Sequence, residues 1–250
     1  MLRNVKLTLE YDGSRFFGFQ KQNDKPSIQA ALEKALSRLF NRPMKITAAA
    51  GRTDAGAHAQ GQVVNFKTDS KLPLEKIQKG LNALLPHTVA VKEIENVALH
   101  FHARYGARWK TYEYVVLNSP VRSPLLSHRA YPFPYPLDLK KMRKAARLLV
   151  GRHDFKAFQA TGSSAKTSKR TVSRLEIKID ESHGLIRFLI QADGFLYHMV
   201  RSMVGTLLEV GRGRLPFKDF ERLFKKKQRL KAGPTVPAHG LTLLSVEYKG

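Results

Sequence analysis

The chain has 250 residues, enough for one large domain or two moderate ones, and its 42% hydrophobic content is that of a globular protein rather than a disordered one. Forty-four Lys and Arg against 20 Asp and Glu leave a net charge of +24, and zero cysteines exclude disulfides, thiolate nucleophiles and cysteine-ligated zinc. No apolar run approaches the roughly 20 residues that span a bilayer, and the opening Met1-Leu2-Arg3-Asn4 lacks a signal peptide's apolar core, so a cytoplasmic protein with no membrane partner is expected.

Val5, Leu7 and Leu9 alternate with Lys6, Thr8 and Glu10 and predict a strand. Ser27 is placed to cap a helix with Ile28, Leu32, Ala35, Leu36 and Leu39 on one face, ending near Pro43. Residues 44–50 read as a strand, a glycine-bounded loop follows, and 62–68 read as another strand. Pro73 suits the first turn of a helix carrying Leu74, Ile77, Leu81 and Leu84; Pro86 ends it, and 89–94 supply a further strand. The order is βαββαβ.

The second half repeats that order. Residues 109–117 predict a strand, and Leu139, Met142, Ala146 and Leu149 a helix that stops at Gly151. Strands follow at 172–179 and 185–192, then a long helix on Leu196, Val200, Met203, Leu207 and Val210. A shorter helix after Pro216 and a strand at 241–248 close the chain. Two βαββαβ patterns predict an α+β fold of two ferredoxin-like halves, mainly antiparallel sheets backed by helices, divided into domains 1–105 and 106–250. Two segments stand outside the pattern: 118–136, whose five prolines suit neither a helix nor a central strand, and 160–170, which reads as a mobile basic loop.

An excess of +24 suits a polyphosphate partner, because each neutralised phosphate releases condensed counterions. Basic stretches fall at 140–144, 166–174 and 225–231, and none has the bulky aromatic face of a membrane-surface helix. One carboxylate is singled out by its setting. Asp54 lies in Gly51-Arg52-Thr53-Asp54-Ala55-Gly56-Ala57-His58-Ala59, between two glycines and close to a guanidinium. Glycines permit close backbone approaches, and a neighbouring positive charge keeps an acid ionised, which fits a nucleophile or an ion-pair anchor better than a general acid. A tight turn in which Asp54 only caps backbone amides is the plain alternative. His100 and His102 lack a third ligand, so packing or RNA contact is expected there and no metal site. Gly211-Arg212-Gly213-Arg214 lacks the lysine pattern of a phosphate loop and reads as a helix stop with basic RNA contacts.

The Asp54 run resembles the signature of the tRNA pseudouridine synthase A family, with Ala57 where that family usually has valine. Tyr11-Asp12-Gly13-Ser14 with Phe16 and Gly18-Phe19-Gln20 is similar to its amino-terminal motif. Lys110-Thr111-Tyr112-Glu113-Tyr114 resembles its aromatic strand, Phe195-Leu196-Tyr197-His198-Met199-Val200-Arg201 its C-terminal helix motif, and Ala238-His239-Gly240-Leu241 its final turn. The resemblance implies a cleft between the halves in which Asp54 is the nucleophile and Arg201 pairs with it. Tyr112 stacks on a flipped target base, Leu241 walls the base pocket, and Arg52 lies near the nucleotide or its phosphate. His58 braces the loop, while Lys166, Lys169 and Arg170 are candidates for gripping RNA. The implied reaction, uridine to pseudouridine at tRNA positions 38, 39 and 40, needs no redox cofactor, nucleotide or metal, and the implied assembly is a homodimer around tRNA. A related synthase with another target uridine, and a noncatalytic RNA-binding module, are the competing readings.

Overall fold

A computed structural model describes residues 1–163, 165–224 and 232–248; the basic stretch at 225–231 lies outside the described residues. The fold is mixed α+β, with mostly antiparallel strands backed by helices. The chain forms two compact units, Met1–Arg108 with Thr242–Gly250, and Trp109–Leu241.

The first unit opens with β1 (Arg3–Tyr11), where Val5, Leu7 and Leu9 are fully buried, as their alternation requires. α1 (Ile28–Leu39) is capped by Ser27, whose Oγ accepts the Ala30 N–H at 3.3 Å. Its buried residues Ile28, Leu32, Ala35 and Leu36 recur at helical spacing. β2 is only Ala48–Ala49, shorter than the strand expected over 44–50. Its neighbours extend the contact without full pairing, since Thr47 and Ala50 donate to the Asn65 and Val63 carbonyls. β3 (His58–Thr68) begins four residues earlier than expected and so takes in the end of the Asp54 run. α2 (Leu74–Leu84) and β4 (Val89–Val97) complete βαββαβ. β1 pairs antiparallel with β3 and β4, and β2 antiparallel with β3, giving the ferredoxin-like order β4-β1-β3-β2.

The second unit begins with β5 (Ala107–Leu117), whose first two residues belong to the first unit. The proline-rich segment 118–136 holds one 3₁₀ turn, Pro124–Leu126, and a two-residue strand β6 (Tyr131–Pro132), parallel to β5. α3 (Leu139–Leu149) is capped by Asp138, which accepts the Lys141 N–H at 2.9 Å. β7 (Gly151–Asp154) follows at once, with Gly151 at φ +113°, a conformation that favours glycine. β8 (Lys169–Asp180) and β9 (Leu185–Ala192) form a hairpin, and the order β5-β9-β8-β7 is antiparallel throughout. α4 (Met199–Gly211) is buried along nearly its whole length, and α5 (Phe217–Arg222) is short. β10 (Leu241–Tyr248) then carries the chain into the first unit, pairing in parallel with β3 at His58 and Ala59.

The basic loop expected at 160–170 is shorter than that. Lys169 and Arg170 begin β8, paired with Asp154 and His153 of β7.

Candidate active site

Asp54 sits in the loop 51–57 between β2 and β3, and the amino-terminal motif at the end of β1 pins that loop. The register of β1 on β3 slips between Leu9 and Tyr11, which leaves Tyr11 opposite Ala59. The Tyr11 hydroxyl is 2.8 Å from Thr53 Oγ1, and Gln62 Nε2 donates to Tyr11 Oη at 3.4 Å and to the Gly51 carbonyl at 3.0 Å. Burial pushes the Tyr11 phenol up to about 12. Phe19 N–H donates to the Thr53 carbonyl at 3.1 Å, and Gly56 N–H to the Phe16 carbonyl at 3.2 Å. The loop closes on itself through Ala57 N–H to the Asp54 carbonyl at 3.1 Å, with Gly56 at φ +80°.

Two close approaches make glycine obligatory in the amino-terminal motif. A Cβ on Gly13 would lie 1.8 Å from the Ala57 carbonyl oxygen. On Gly18, which has φ +89°, it would lie 2.8 Å from the Thr53 oxygen. His58 is buried beside them. Its Nδ1 accepts the Gly13 N–H at 3.1 Å and lies 3.3 Å from Asp12 Oδ1, which in turn accepts from Ser14 N–H and Oγ. The result is a half-buried Asp54 next to a buried Thr53, with Arg52 exposed. The backbone of Thr53, Asp54 and Gly56 is fixed by hydrogen bonds, so the carboxylate is presented from an anchored loop. Asp54, His58 and the amino-terminal motif therefore share one hydrogen-bonded network. Thr53, Tyr11 and Gln62 complete it; Thr53 and Tyr11 fall inside the sequence motifs, whereas nothing in the sequence singles out Gln62.

In the second unit Tyr112 lies on β5 opposite Ile190, almost buried, with its ring edge-on to Phe195 at 5.0 Å and 85°. Tyr114, two residues on, is fully buried and donates its hydroxyl to the Pro237 carbonyl at 2.7 Å. Burial pushes its phenol strongly upward, while the charge of Arg201 pulls the other way. Arg201 is half-buried in the first turn of α4, and its Nε donates to the Val236 carbonyl at 2.7 Å. The same segment presses on Gly205, where a Cβ would strike the Pro234 oxygen at 1.8 Å, and Tyr114 presses on Gly240, where a Cβ would lie 2.8 Å from its ring. Leu241, buried, ends this segment and starts β10. The backbone carbonyls of 236 and 237, invisible to side-chain reading, thus hold both Arg201 and Tyr114.

The remaining candidates lie just before and at the start of β8, and between β4 and β5. Lys166 is exposed in the loop before β8. Arg170 Nη1 donates to the carbonyls of Thr167 and Lys169, so part of its guanidinium serves its own backbone. His102 accepts the Arg104 and Tyr105 N–H groups through Nδ1, a packing role.

A mixed α+β fold that presents a carboxylate between glycines, on a strongly cationic chain, is consistent with an enzyme that acts on nucleic acid, and comparison with known proteins identifies its class. A family model described as tRNA pseudouridine synthase matches residues 8–106 and 145–249. The chain belongs to that family, and is an isomerase. It is 42% identical to a tRNA pseudouridine synthase A of Acetivibrio thermocellus over 99% of this chain and 100% of that one. It is 45% identical to that of Neisseria gonorrhoeae over 98% and 91%. A solved chain from a Cbf5-Nop10-Gar1 complex aligns at a TM-score of 0.36 and 12% identity, covering 82% of this chain and 54% of its own, too slight a likeness to bear on fold or function.

Proposed function

We propose that this chain converts uridine to pseudouridine at positions 38, 39 and 40 of the tRNA anticodon stem-loop, with Asp54 as the nucleophile. The observation that carries the reading is the loop 51–57, whose backbone is tied to residues 11–19 so that Asp54 is held still at its surface. In the reaction a carboxylate oxygen bonds to the anomeric carbon as the bond to base nitrogen 1 breaks, its electrons leaving with the base. The base turns, carbon 5 bonds to the same anomeric carbon, and the carboxylate is released. Carbon 5 loses its proton and nitrogen 1 gains one, so nothing is oxidised or added.

A target base in a structured RNA must leave its stack, and an aromatic face is a suitable support for it. Tyr112 is assigned that role and Leu241 the wall of its pocket. Arg201 supplies the positive charge that keeps a catalytic carboxylate ionised, and Arg52 meets the nucleotide or its phosphate. His58 holds the loop. Lys166, Lys169 and Arg170 contact RNA outside the reacting centre, and the working form is a cytoplasmic homodimer. No helix among the described residues is long and apolar enough to cross a membrane.

Mapping pseudouridines in an unmodified tRNA transcript after exposure to the protein tests the substrate assignment. New pseudouridine confined to positions 38, 39 and 40 is the expected result. Modification elsewhere, with those positions untouched, overturns it.

A further inference from the structure

The segment 131–136 alternates aromatic residues with prolines: Tyr131-Pro132-Phe133-Pro134-Tyr135-Pro136. Alternate residues of an extended chain share a side, so this spacing lines up three rings, and the prolines hold the backbone extended without wasting N–H donors. The segment is anchored. Phe133 N–H donates to the Leu117 carbonyl at 2.8 Å, and Asn118 Nδ2 donates to the carbonyls of Phe133 and Tyr135. Tyr131 and Phe133 lie 6.0 Å apart, and Phe133 and Tyr135 5.2 Å.

These rings form one wall of a cavity of about 320 Å³ within the second unit. The opposite wall is the carboxyl end of α4, with Gly205, Glu209 and Arg212, and Arg214 just beyond it. The Arg212 guanidinium lies 3.9 Å from the centre of the Tyr135 ring and 3.4 Å from Glu209. Arg214 is exposed at the rim, positioned by its own N–H to the Glu209 carbonyl at 2.9 Å. Two guanidiniums and one carboxylate against a rigid aromatic ladder suit a flat ligand that carries negative charge. At 320 Å³ the cavity is at the lower end of the range for small ligands.

We propose that this cavity binds one unpaired nucleotide of the RNA substrate, its base stacked against the part of the half-exposed Tyr135 ring that Arg212 leaves uncovered and its phosphate on Arg214. Glu209, beside Arg212, then accepts from a base N–H. The inference rests on the tRNA-directed reading above and deepens it. Arg201 and Gly205 lie along one stripe of α4 that runs on to Arg212 at its carboxyl cap, so the cavity begins about 6 Å and ends about 16 Å from Arg201 along the helix axis. That spacing places the bound nucleotide a few positions along the RNA from the one Arg201 serves.

The test uses the full chain and an unmodified tRNA transcript. Ultraviolet crosslinking of the wild type followed by mass spectrometry is expected to leave a nucleotide adduct on the peptide holding Tyr131 to Tyr135. Tyr135→Ala and Arg214→Gln are each expected to weaken tRNA binding about 10-fold, within the range for removing one stacked base or one neutralised phosphate. KM rises accordingly while kcat at saturating tRNA is unchanged, and Tyr135→Phe restores binding. No adduct on that peptide, unchanged binding in both variants, or an altered association state of the protein in Tyr135→Ala would each overturn the proposal. Failure of the wild type to bind tRNA at all would instead overturn the reading it rests on.

Discussion

Gly13 and Tyr11 show how much of the Asp54 loop is decided by single residues of another segment. Gly13 has no room for a methyl group, because the Ala57 carbonyl occupies that position at 1.8 Å. Gly13→Ala must push the loop away, and overpacking of this kind typically costs about 1–3 kcal/mol. Urea denaturation should show that loss, and isomerisation should fall more than stability does, since the displaced backbone carries Asp54. Tyr11 makes a pH prediction. Its phenol titrates near 10 in the unfolded chain and at about 12 when folded, so the unfolded state releases its proton first. That stabilisation is complete below about pH 10 and is lost as pH rises toward 12. Tyr114 and Tyr248 are pushed up by burial as well, so alkaline unfolding is shared among them. In Tyr11→Phe the fall in stability between pH 10 and 12 should be shallower by on the order of 2 kcal/mol. A fall as steep as the wild type's would show that Tyr11 ionises as freely in the folded state. At Tyr112 the two substitutions should separate: phenylalanine keeps the ring on Phe195 and preserves tRNA-dependent activity, while alanine loses it. Full activity in the alanine variant would remove Tyr112 from the site.

At the scale of elements, what the sequence made legible depended on whether local pattern or distant pairing defines the element. α1 follows from apolar spacing and its capping serine and α3 from spacing, and Leu185–Ala192 and Leu241–Tyr248 fall where strands are expected. β7 and the start of β8 do not. Gly151–Asp154 and Lys169–Arg170 are polar, short of β-branched residues, and become strands only because each supplies the other's hydrogen-bond partners. β2 is the reverse case, since a mostly apolar run over 44–50 yields two paired residues. Its small side chains let Ala48 and Ala50 pack beside Val63 and Ala103 without a full ladder. In the candidate site, the motifs were legible from residue types, whereas the carbonyls of Val236 and Pro237 that hold Arg201 and Tyr114 carry no side-chain signal. The early start of β8 also narrows the expected RNA-binding surface. Arg170 is partly engaged by its own backbone, which leaves Lys166 and Lys169 as the freer cations there. Neutralising both to glutamine should make tRNA binding less salt-dependent, the log–log slope falling by about 0.7–0.9 for each phosphate these lysines neutralise, with little change in stability. An unchanged slope would mean that these lysines face only solvent.

Over the whole molecule, the charge and the chemistry point to the same substrate by independent routes. A net charge of +24 favours a polyanion without specifying what is done to it. The role proposed for Asp54 is one that a polyanion-binding module has no use for, and the family match extends through most of both units. The central claim is that Asp54 is the nucleophile, and exchange of its carboxylate for an amide tests it with the least disturbance of shape. Asp54→Asn keeps the turn, because the bond that closes it uses the backbone carbonyl rather than the side chain. With tRNA labelled by tritium at uridine carbon 5, release of tritium to water reports bond formation at that carbon directly. Wild type should release tritium from the target uridines, and Asp54→Asn should bind the same tRNA with near-normal affinity and release none above background. Release by Asp54→Asn at a rate near that of wild type would contradict the assignment.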